Sequence, residues 1–107
     1  MKVVIVEPGK PAYEKDVMNA LKPLQDIVGG YIEVLPSGGP FNPLDNRSVL
    51  ICNEEGKLLG LPLNRQIGFD VICGTFIIAG DGGEDFCSLD DAQVQHYCEL
   101  FKDTEVF

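Results

Sequence analysis

Four short runs of aliphatic and β-branched residues, each bounded by Gly, Pro or Asn, dominate the chain and predict β-strands. They cover residues 2–7, 31–36, 48–53 and 71–80. The first run is nearly all apolar, which predicts a strand in the middle of a sheet. Gly74 interrupts the last run and predicts a β-bulge or a close approach of two backbones.

The segments between these runs predict turns. Residues 53–57 read Asn-Glu-Glu-Gly-Lys and predict a tight turn with Gly56 at positive φ. Leu58 and Leu59 then resume extended structure and complete a β-hairpin. Residues 60–65 are too interrupted by Gly and Pro to predict a regular element, and the Gly- and Pro-rich residues 37–46 predict a surface loop.

Two segments show helical spacing of apolar side chains. Residues 13–28 place an apolar face at Val17, Leu21, Leu24 and Val28. Pro23 predicts a kink or two short helices there, and Gly29-Gly30 ends the helix. The second helix is predicted to begin with Ser88 as N-cap and Asp91 at the third helical position. Its buried stripe is Val94, Tyr97, Cys98 and Phe101.

The predicted order is therefore β-α-β-β-β-β-α, an α+β fold with a mainly antiparallel sheet of about five strands and two helices. The 107 residues suit a single domain over 1–107. No apolar run approaches the length of a membrane helix, and no secretion signal precedes the first strand. We therefore expect a cytoplasmic protein that does not contact a membrane.

The net charge of −9 is unevenly distributed. Eight acidic residues and one lysine lie between Asp81 and Phe107, so this segment alone carries −7. Such a surface repels phosphate backbones, and we expect no direct binding of nucleic acid. Two interpretations stay open: a solvated helix that keeps the protein soluble, or an acidic decoy that mimics DNA and inhibits a nucleic-acid-binding protein.

Established catalytic and metal-binding motifs are absent from the sequence. His96 is the only histidine and lies off the apolar stripe of its helix, so we expect it to be exposed. The four cysteines include no C-x-x-C pair and fit reduced, mostly buried thiols better than disulfides or a zinc site. No catalytic residue, metal ligand or cofactor is assigned, and an enzyme is the less favoured class.

One group of polar residues could form a ligand-binding surface, provided that Tyr31, Lys57 and Arg65 converge in space. Tyr31 offers a flat ring, Lys57 a point charge and Arg65 a planar fork of donors. The candidate ligand-binding residues are Tyr31, Glu33, Asn53, Glu54, Lys57, Asn64, Arg65 and Thr75. Such a set could hold a small anionic molecule or a peptide carboxylate. The alternative is a structural network in which Arg65 pairs with Glu33 or Glu54.

These same residues resemble the domain of unknown function 3846 family. The resemblance lies in residues 29–34 (GGYIEV), 52–65 (CNEEGKLLGLPLNR) and 74–76 (GTF), with 5–10, 84–86 and 88–89 also fitting. It implies no activity. It implies small proteins of gut bacteria, phages and conjugative elements, and hence a role in conflict between mobile elements and their hosts. The matching candidates are Tyr31, Glu33, Asn53, Glu54, Lys57, Asn64 and Arg65.

Three functional hypotheses follow. The first is a non-enzymatic binding module of a mobile element that holds a small anionic ligand, such as a nucleotide, or a host protein. The second is the acidic decoy. The third is an enzyme that uses Glu33, Glu54 or Glu55 as general acid or base, which would require an enclosed site.

Overall fold

The computed structural model describes residues 1–36 and 43–107, which form eight strands and two helices. In chain order these are β1 (Lys2–Val6), β2 (Tyr13–Asp16), α1 (Leu21–Val28), β3 (Ile32–Pro36), β4 (Ser48–Asn53), β5 (Leu63–Ile67), β6 (Asp70–Cys73), β7 (Phe76–Asp81), β8 (Phe86–Cys87) and α2 (Asp91–Leu100). Neither of these helices is long and apolar enough to cross a membrane. Part of the predicted 37–46 loop lies outside the described residues.

The main sheet has the order β2-β1-β7-β4-β3, with β8 paired to the end of β7. Every pairing in it is antiparallel, and β5 and β6 form a separate antiparallel hairpin. The predicted α+β class, with two helices and a mainly antiparallel sheet, is confirmed. β1 lies inside the sheet between β2 and β7, as its apolar sequence indicates.

The main sheet is covered on both faces. Along β1, Val3 and Ile5 point to one face and pack in the same apolar cluster as Leu24 and Val28 of α1. The alternate side chains of β1 point to the other face, where α2 and the β5–β6 hairpin cover them. This alternation follows from the two-residue period of a strand, and a sheet buried on both sides explains why β1, β4 and β7 are almost wholly apolar.

The helix predicted over residues 13–28 is wrong in its first half. Residues Tyr13–Asp16 form β2, which pairs with β1 along its whole length. The helix begins only at Leu21, so Pro23 lies in its first turn, where a missing N–H costs no hydrogen bond. Gly29 ends it in the left-handed conformation at φ 83°, as the sequence predicts.

The strand predicted over residues 71–80 is divided into β6 and β7 at Gly74. Gly74 adopts φ +84°, and a Cβ there would lie 2.7 Å from Cδ1 of Leu61. The close contact at Gly74 is therefore with the side chain of Leu61 and not with a second backbone, and the glycine separates two strands instead of forming a bulge within one. β5 forms where no element was predicted, because the apolar side chain of Ile67 and the buried polar residues before it pack under the main sheet.

Residues 54–60 do not form the predicted hairpin. They form consecutive helical-type turns, in which the N–H of Leu59 donates to Glu55 and that of Leu61 donates to Gly56. Gly56 does not have positive φ. Its role is close packing, since a Cβ would lie 2.6 Å from the carbonyl oxygen of Cys73.

The cap of α2 also differs from the prediction. Asp90 is the N-cap and exchanges two hydrogen bonds with Gln93 in a capping box. Ser88 instead accepts a hydrogen bond from the backbone N–H of Lys2. The predicted stripe is confirmed, with Tyr97 and Phe101 buried beside Val94 and with Cys98 half-buried, and His96 is exposed as expected.

Candidate functional site

Arg65 lies in the interior and does not reach the surface that the sequence predicts for it. Only 1% of the residue is exposed. Its Nη2 donates to the carbonyl oxygens of Lys10 at 2.8 Å and Phe101 at 3.1 Å. Its Nη1 donates to Oδ1 of Asn64 at 2.7 Å. The guanidinium thus joins β5 to the β1–β2 connection and to the end of α2.

The predicted pairing of Arg65 with Glu33 or Glu54 is wrong. The acceptors of its hydrogen bonds are carbonyl and amide oxygens. Burial lowers the pKa of Arg65 below its ordinary value, while the charges of Glu105 and Asp103 act in the opposite direction. A guanidinium that ends on the carbonyl of Phe101 also faces the negative end of the α2 dipole. This geometry stabilises the fold and leaves no open donor face for a ligand.

Asn64 belongs to the same interior network. It is 1% exposed, and its Nδ2 donates to the carbonyl oxygens of Val6 and Gly74, both at 2.9 Å. We call Asn64 and Arg65 the interior network. Thr75 is half-buried between β6 and β7, directly after Gly74. The structure therefore separates these three residues from the other predicted site residues.

Tyr31 lines an open depression at the end of α1, with a volume of about 540 Å³. The residue is 66% exposed. The depression is lined by Lys22, Gln25, Asp26, Gly29, Gly30, Tyr31, Asn53, Glu55 and Leu59. The lack of a side chain at Gly30 lets the backbone pack against Asn53 in the lining of this depression, because a Cβ there would lie 2.9 Å from Nδ2 of Asn53. We call this the Tyr31 depression.

Lys57 lines a second depression of about 310 Å³ on the opposite side of β4's end. Glu33, Glu54 and Asp70 lie in it together with half-buried Leu35 and exposed Leu58. Lys57 forms an ion pair with Asp70. Their hydrogen bond raises the pKa of Lys57 and lowers that of Asp70. We call this the Lys57 depression.

Asn53 lies between the two depressions and lines both of them. It is buried, its Nδ2 donates to the carbonyl of Val28 at 3.1 Å, and its Oδ1 accepts from the N–H of Glu55 at 2.8 Å. The N–H of Glu54 donates to the carbonyl of Tyr31 at 2.8 Å. Asn53 therefore fixes the end of α1 relative to the turn that carries Glu54 and Glu55.

The two depressions are acidic. Five carboxylates line them, from Asp26, Glu33, Glu54, Glu55 and Asp70, against the two ammonium groups of Lys22 and Lys57. Both lysines are already paired, Lys22 with Asp26 at 2.6 Å and Lys57 with Asp70. The other three carboxylates form no ion pair with any described residue. This charge balance favours a cationic ligand over an anionic one.

Sequence reasoning missed the apolar part of this region. Leu58 is 82% exposed and Leu59 57% exposed, although both were predicted to lie in a strand. Two adjacent leucines after an Asn-Glu-Glu-Gly-Lys turn were the available signal. We call Tyr31, Leu58 and Leu59, with the unpaired carboxylates of Glu33, Glu54 and Glu55, the Tyr31–Leu59 surface.

The Cys52 thiol near this surface is a poor nucleophile. Cys52 and Cys73 are buried and line the Lys57 depression. Burial raises the pKa of Cys52 to about 11, with Glu33 and Asp70 adding to the effect. The thiol of Cys52 is therefore protonated at neutral pH. All four cysteines are free, and Cys87 alone among them is exposed.

The acidic C-terminal segment is partly neutralised by neighbouring cations. Asp90 pairs with Arg47, Asp91 with Lys2, and Glu99 with Lys102. Three of the eight acidic side chains in this segment are therefore paired with cations, and these contacts give the decoy hypothesis no specific support.

One of the three comparisons with known proteins found a match. A family model described as Domain of unknown function (DUF3846) matches residues 1–102. Neither a search of curated proteins nor a search of solved structures found a match to the chain.

Proposed function

The chain belongs to the family described as Domain of unknown function (DUF3846), and we propose that it is a protein-binding module that uses the Tyr31–Leu59 surface. The partner is a protein segment that carries basic residues beside apolar ones. In the mobile-element setting that the family resemblance implies, the partner is a host protein met in the cytoplasm.

The observation that carries this proposal is the exposure of three large apolar side chains within one acidic region. Tyr31 and Leu59 line the Tyr31 depression, and Leu58 lines the adjoining one. The exposed ring of Tyr31 is of a type enriched in protein interfaces, and the two leucines with carboxylates around them give an apolar centre with a polar rim. Their exposure is not needed for folding, since the core is already built from other residues.

A small anionic ligand is less well supported at this surface. Such a ligand would have to displace a carboxylate from Lys22 or Lys57, and it would face three further carboxylates. An enzyme based on Glu33, Glu54 or Glu55 is also less well supported. Glu33 and Glu54 are exposed and Glu55 is only half-buried, whereas a carboxylate acting as general acid needs an enclosed site.

The proposal can be tested by peptide selection. A phage-displayed library of random peptides is screened against the immobilised full chain. We expect selected sequences to combine Lys or Arg with apolar residues. A selected peptide is then titrated calorimetrically into wild type, Tyr31→Ala and Leu59→Ala, and each variant is expected to weaken binding about tenfold or more.

Tyr13→Ala is the matched control, because Tyr13 is an exposed tyrosine on β2, at the opposite edge of the sheet. It should leave the affinity unchanged. Acidic selected peptides, or equal affinity for wild type and Tyr31→Ala, would contradict the proposal. A panel of nucleotides is titrated in parallel. If a nucleotide binds and Tyr31→Ala abolishes this binding, the result supports a small anionic ligand instead.

A further inference from the structure

The two edges of the main sheet differ in their protection against strand pairing. β2 forms one edge, and all four of its side chains are exposed, three of them charged. Charged edge strands resist the addition of another strand. β3 forms the other edge and carries Ile32, Val34 and Leu35 with a single charge at Glu33. Among the described residues, β3 pairs only with β4.

The hydrogen bonds of β3 show which of its backbone groups face outward. In the register of this pair, Tyr31 lies opposite Glu54, and the carbonyl of Tyr31 accepts from the N–H of Glu54. Because hydrogen-bonded and non-bonded pairs alternate along an antiparallel ladder, Ile32 and Val34 occupy non-bonded positions. Their N–H and C=O groups therefore point away from β4.

Proline at the end of β3 fits the same alternation. Pro36 occupies the next outward position in the register. Proline has no N–H, so the outward donors of β3 are confined to Ile32 and Val34. The open edge is thus a short, defined template that begins directly after Tyr31.

We infer that a partner segment binds as an added antiparallel strand on the β3 edge, with an alternating apolar–basic–apolar sequence. Residues of the segment directly opposite Ile32 and Val34 share the face of those side chains, which borders the cluster under α1. The residue between them lies opposite Glu33, whose carboxylate forms no ion pair with the described residues. A basic residue there forms a cross-strand ion pair.

This inference rests on the proposed function and specifies how that partner is recognised. A second copy of the chain fits the edge less well. A symmetric pairing centred on Val34 places Ile32 of one copy opposite Pro36 of the other, which has no N–H to donate. Each copy also carries a net charge of −9. Charge complementarity therefore favours a basic segment from another protein.

The test uses a capped peptide of alternating valine and lysine and follows hydrogen exchange of the full chain by NMR. In the free chain, we expect β4 to protect the amides of Glu33 and Leu35, and we expect faster exchange at Ile32 and Val34, whose N–H groups point away from β4. Peptide at about ten times its Kd should slow exchange at Ile32 and Val34 about tenfold. A peptide of the same composition with its lysines and valines in separate blocks is the control.

N-methylation of the peptide separates strand addition from side-chain docking without changing the protein. The valines opposite Ile32 and Val34 direct their N–H groups at β3, so methylating them should weaken binding roughly tenfold or more. Methylating the lysines, whose N–H groups point outward, should have little effect. Equal effects at both positions overturn the inference.

The remaining outcomes distinguish this inference from the proposed function. Absent or unselective binding of the alternating peptide overturns strand addition, and the library selection still decides the proposed function. Slowed exchange at Ile32 and Val34 with undiminished binding by Tyr31→Ala supports strand addition and contradicts the proposed use of Tyr31. Protection that rises with protein concentration in the absence of peptide identifies a second copy as the occupant and overturns the inference.

Discussion

Arg65 and Asn64 of the interior network donate to acceptors of the protein itself, whereas the carboxylates of exposed Glu33 and Glu54 and of half-buried Glu55 form no ion pair with any described residue. In the described residues, Nε of Arg65 is the one buried side-chain polar atom without a hydrogen bond. The first region joins strands, a connection and a helix end. The second leaves polar and apolar side chains open at the surface.

The difference shows that residue type does not reveal whether a polar group binds a ligand. Arg65 has the side chain most often associated with anion binding, yet its two terminal nitrogens donate to Asn64, Lys10 and Phe101, and the residue is buried. Leu58 and Leu59 have side chains typical of a core, yet both are exposed. Changes in the two regions should therefore act on different quantities, the free energy of unfolding and the affinity for a partner.

The largest expected effect is on stability, from Arg65→Met. Methionine fills similar space but donates nothing, so the carbonyl of Lys10 and Oδ1 of Asn64 lose their donor. We expect a loss of roughly 2–4 kcal/mol in the free energy of unfolding, measured by urea denaturation. Arg65→Lys should lose less. A loss of less than about 0.5 kcal/mol would show that the network is not structural.

Asn53→Ala should give the next largest effect, because buried Asn53 anchors the turn that carries part of the Tyr31–Leu59 surface. The change removes the donor to Val28 and the acceptor for the N–H of Glu55. Urea denaturation should show a loss of about 1–3 kcal/mol. The selected peptide should also bind more weakly, since the turn carrying Glu54 and Glu55 loses its anchor. Lowered stability with full affinity would show that the surface does not depend on this anchor.

Glu54→Lys should change affinity modestly and stability hardly at all. Reversing an exposed charge at the Tyr31–Leu59 surface removes one attraction for a basic peptide, which corresponds to a loss of a few-fold in Kd at low salt. The loss should shrink as salt is added. Glu84→Lys, at an exposed position in the turn before β8, is the matched control. Equal losses from both would indicate attraction by overall charge only.

The smallest effect concerns Asp70. The hydrogen bond from Lys57 lowers the pKa of Asp70 in the folded chain, so its contribution to stability is present above the ordinary carboxyl pKa near 4. That contribution is lost as the pH falls through the lower folded value. Urea denaturation should therefore show a small difference between wild type and Asp70→Asn at neutral pH, which disappears in acid. If the difference in the free energy of unfolding between wild type and Asp70→Asn grew in acid, it would contradict this prediction.

The sequence predicts the fold where local pattern and tertiary packing agree. The apolar runs of β1, β3, β4 and β7 and the stripe of α2 follow directly from spacing. It fails at Tyr13–Asp16, where four exposed residues form a strand because β1 offers an unpaired edge. Nothing in those four residues carries that information. The cap of α2 is a different case, because Asp90 and Gln93 have the three-residue spacing of a capping box, a local signal that favours Asp90 over Ser88.

The candidate site was predicted in part. Tyr31, Glu33, Asn53, Glu54 and Lys57 do line adjoining depressions. Asn64 and Arg65 do not, because β5 turns their side chains under the main sheet, and no spacing rule shows that. A network of half-buried Asp45 with buried Ser48, Gln93 and Tyr97 was also missed. Its two halves, one before β4 and at its start and one on α2, lie at least 45 residues apart in the chain.

The most direct test compares Tyr31→Ala with Tyr13→Ala in both urea denaturation and calorimetric titration of a selected peptide. The account predicts that neither changes the free energy of unfolding by more than about 0.5 kcal/mol. It also predicts that only Tyr31→Ala weakens the peptide, by about tenfold or more. Equal affinities for the two variants, or a loss of stability in Tyr31→Ala that matches Arg65→Met, would contradict the separation of a structural interior from a binding surface.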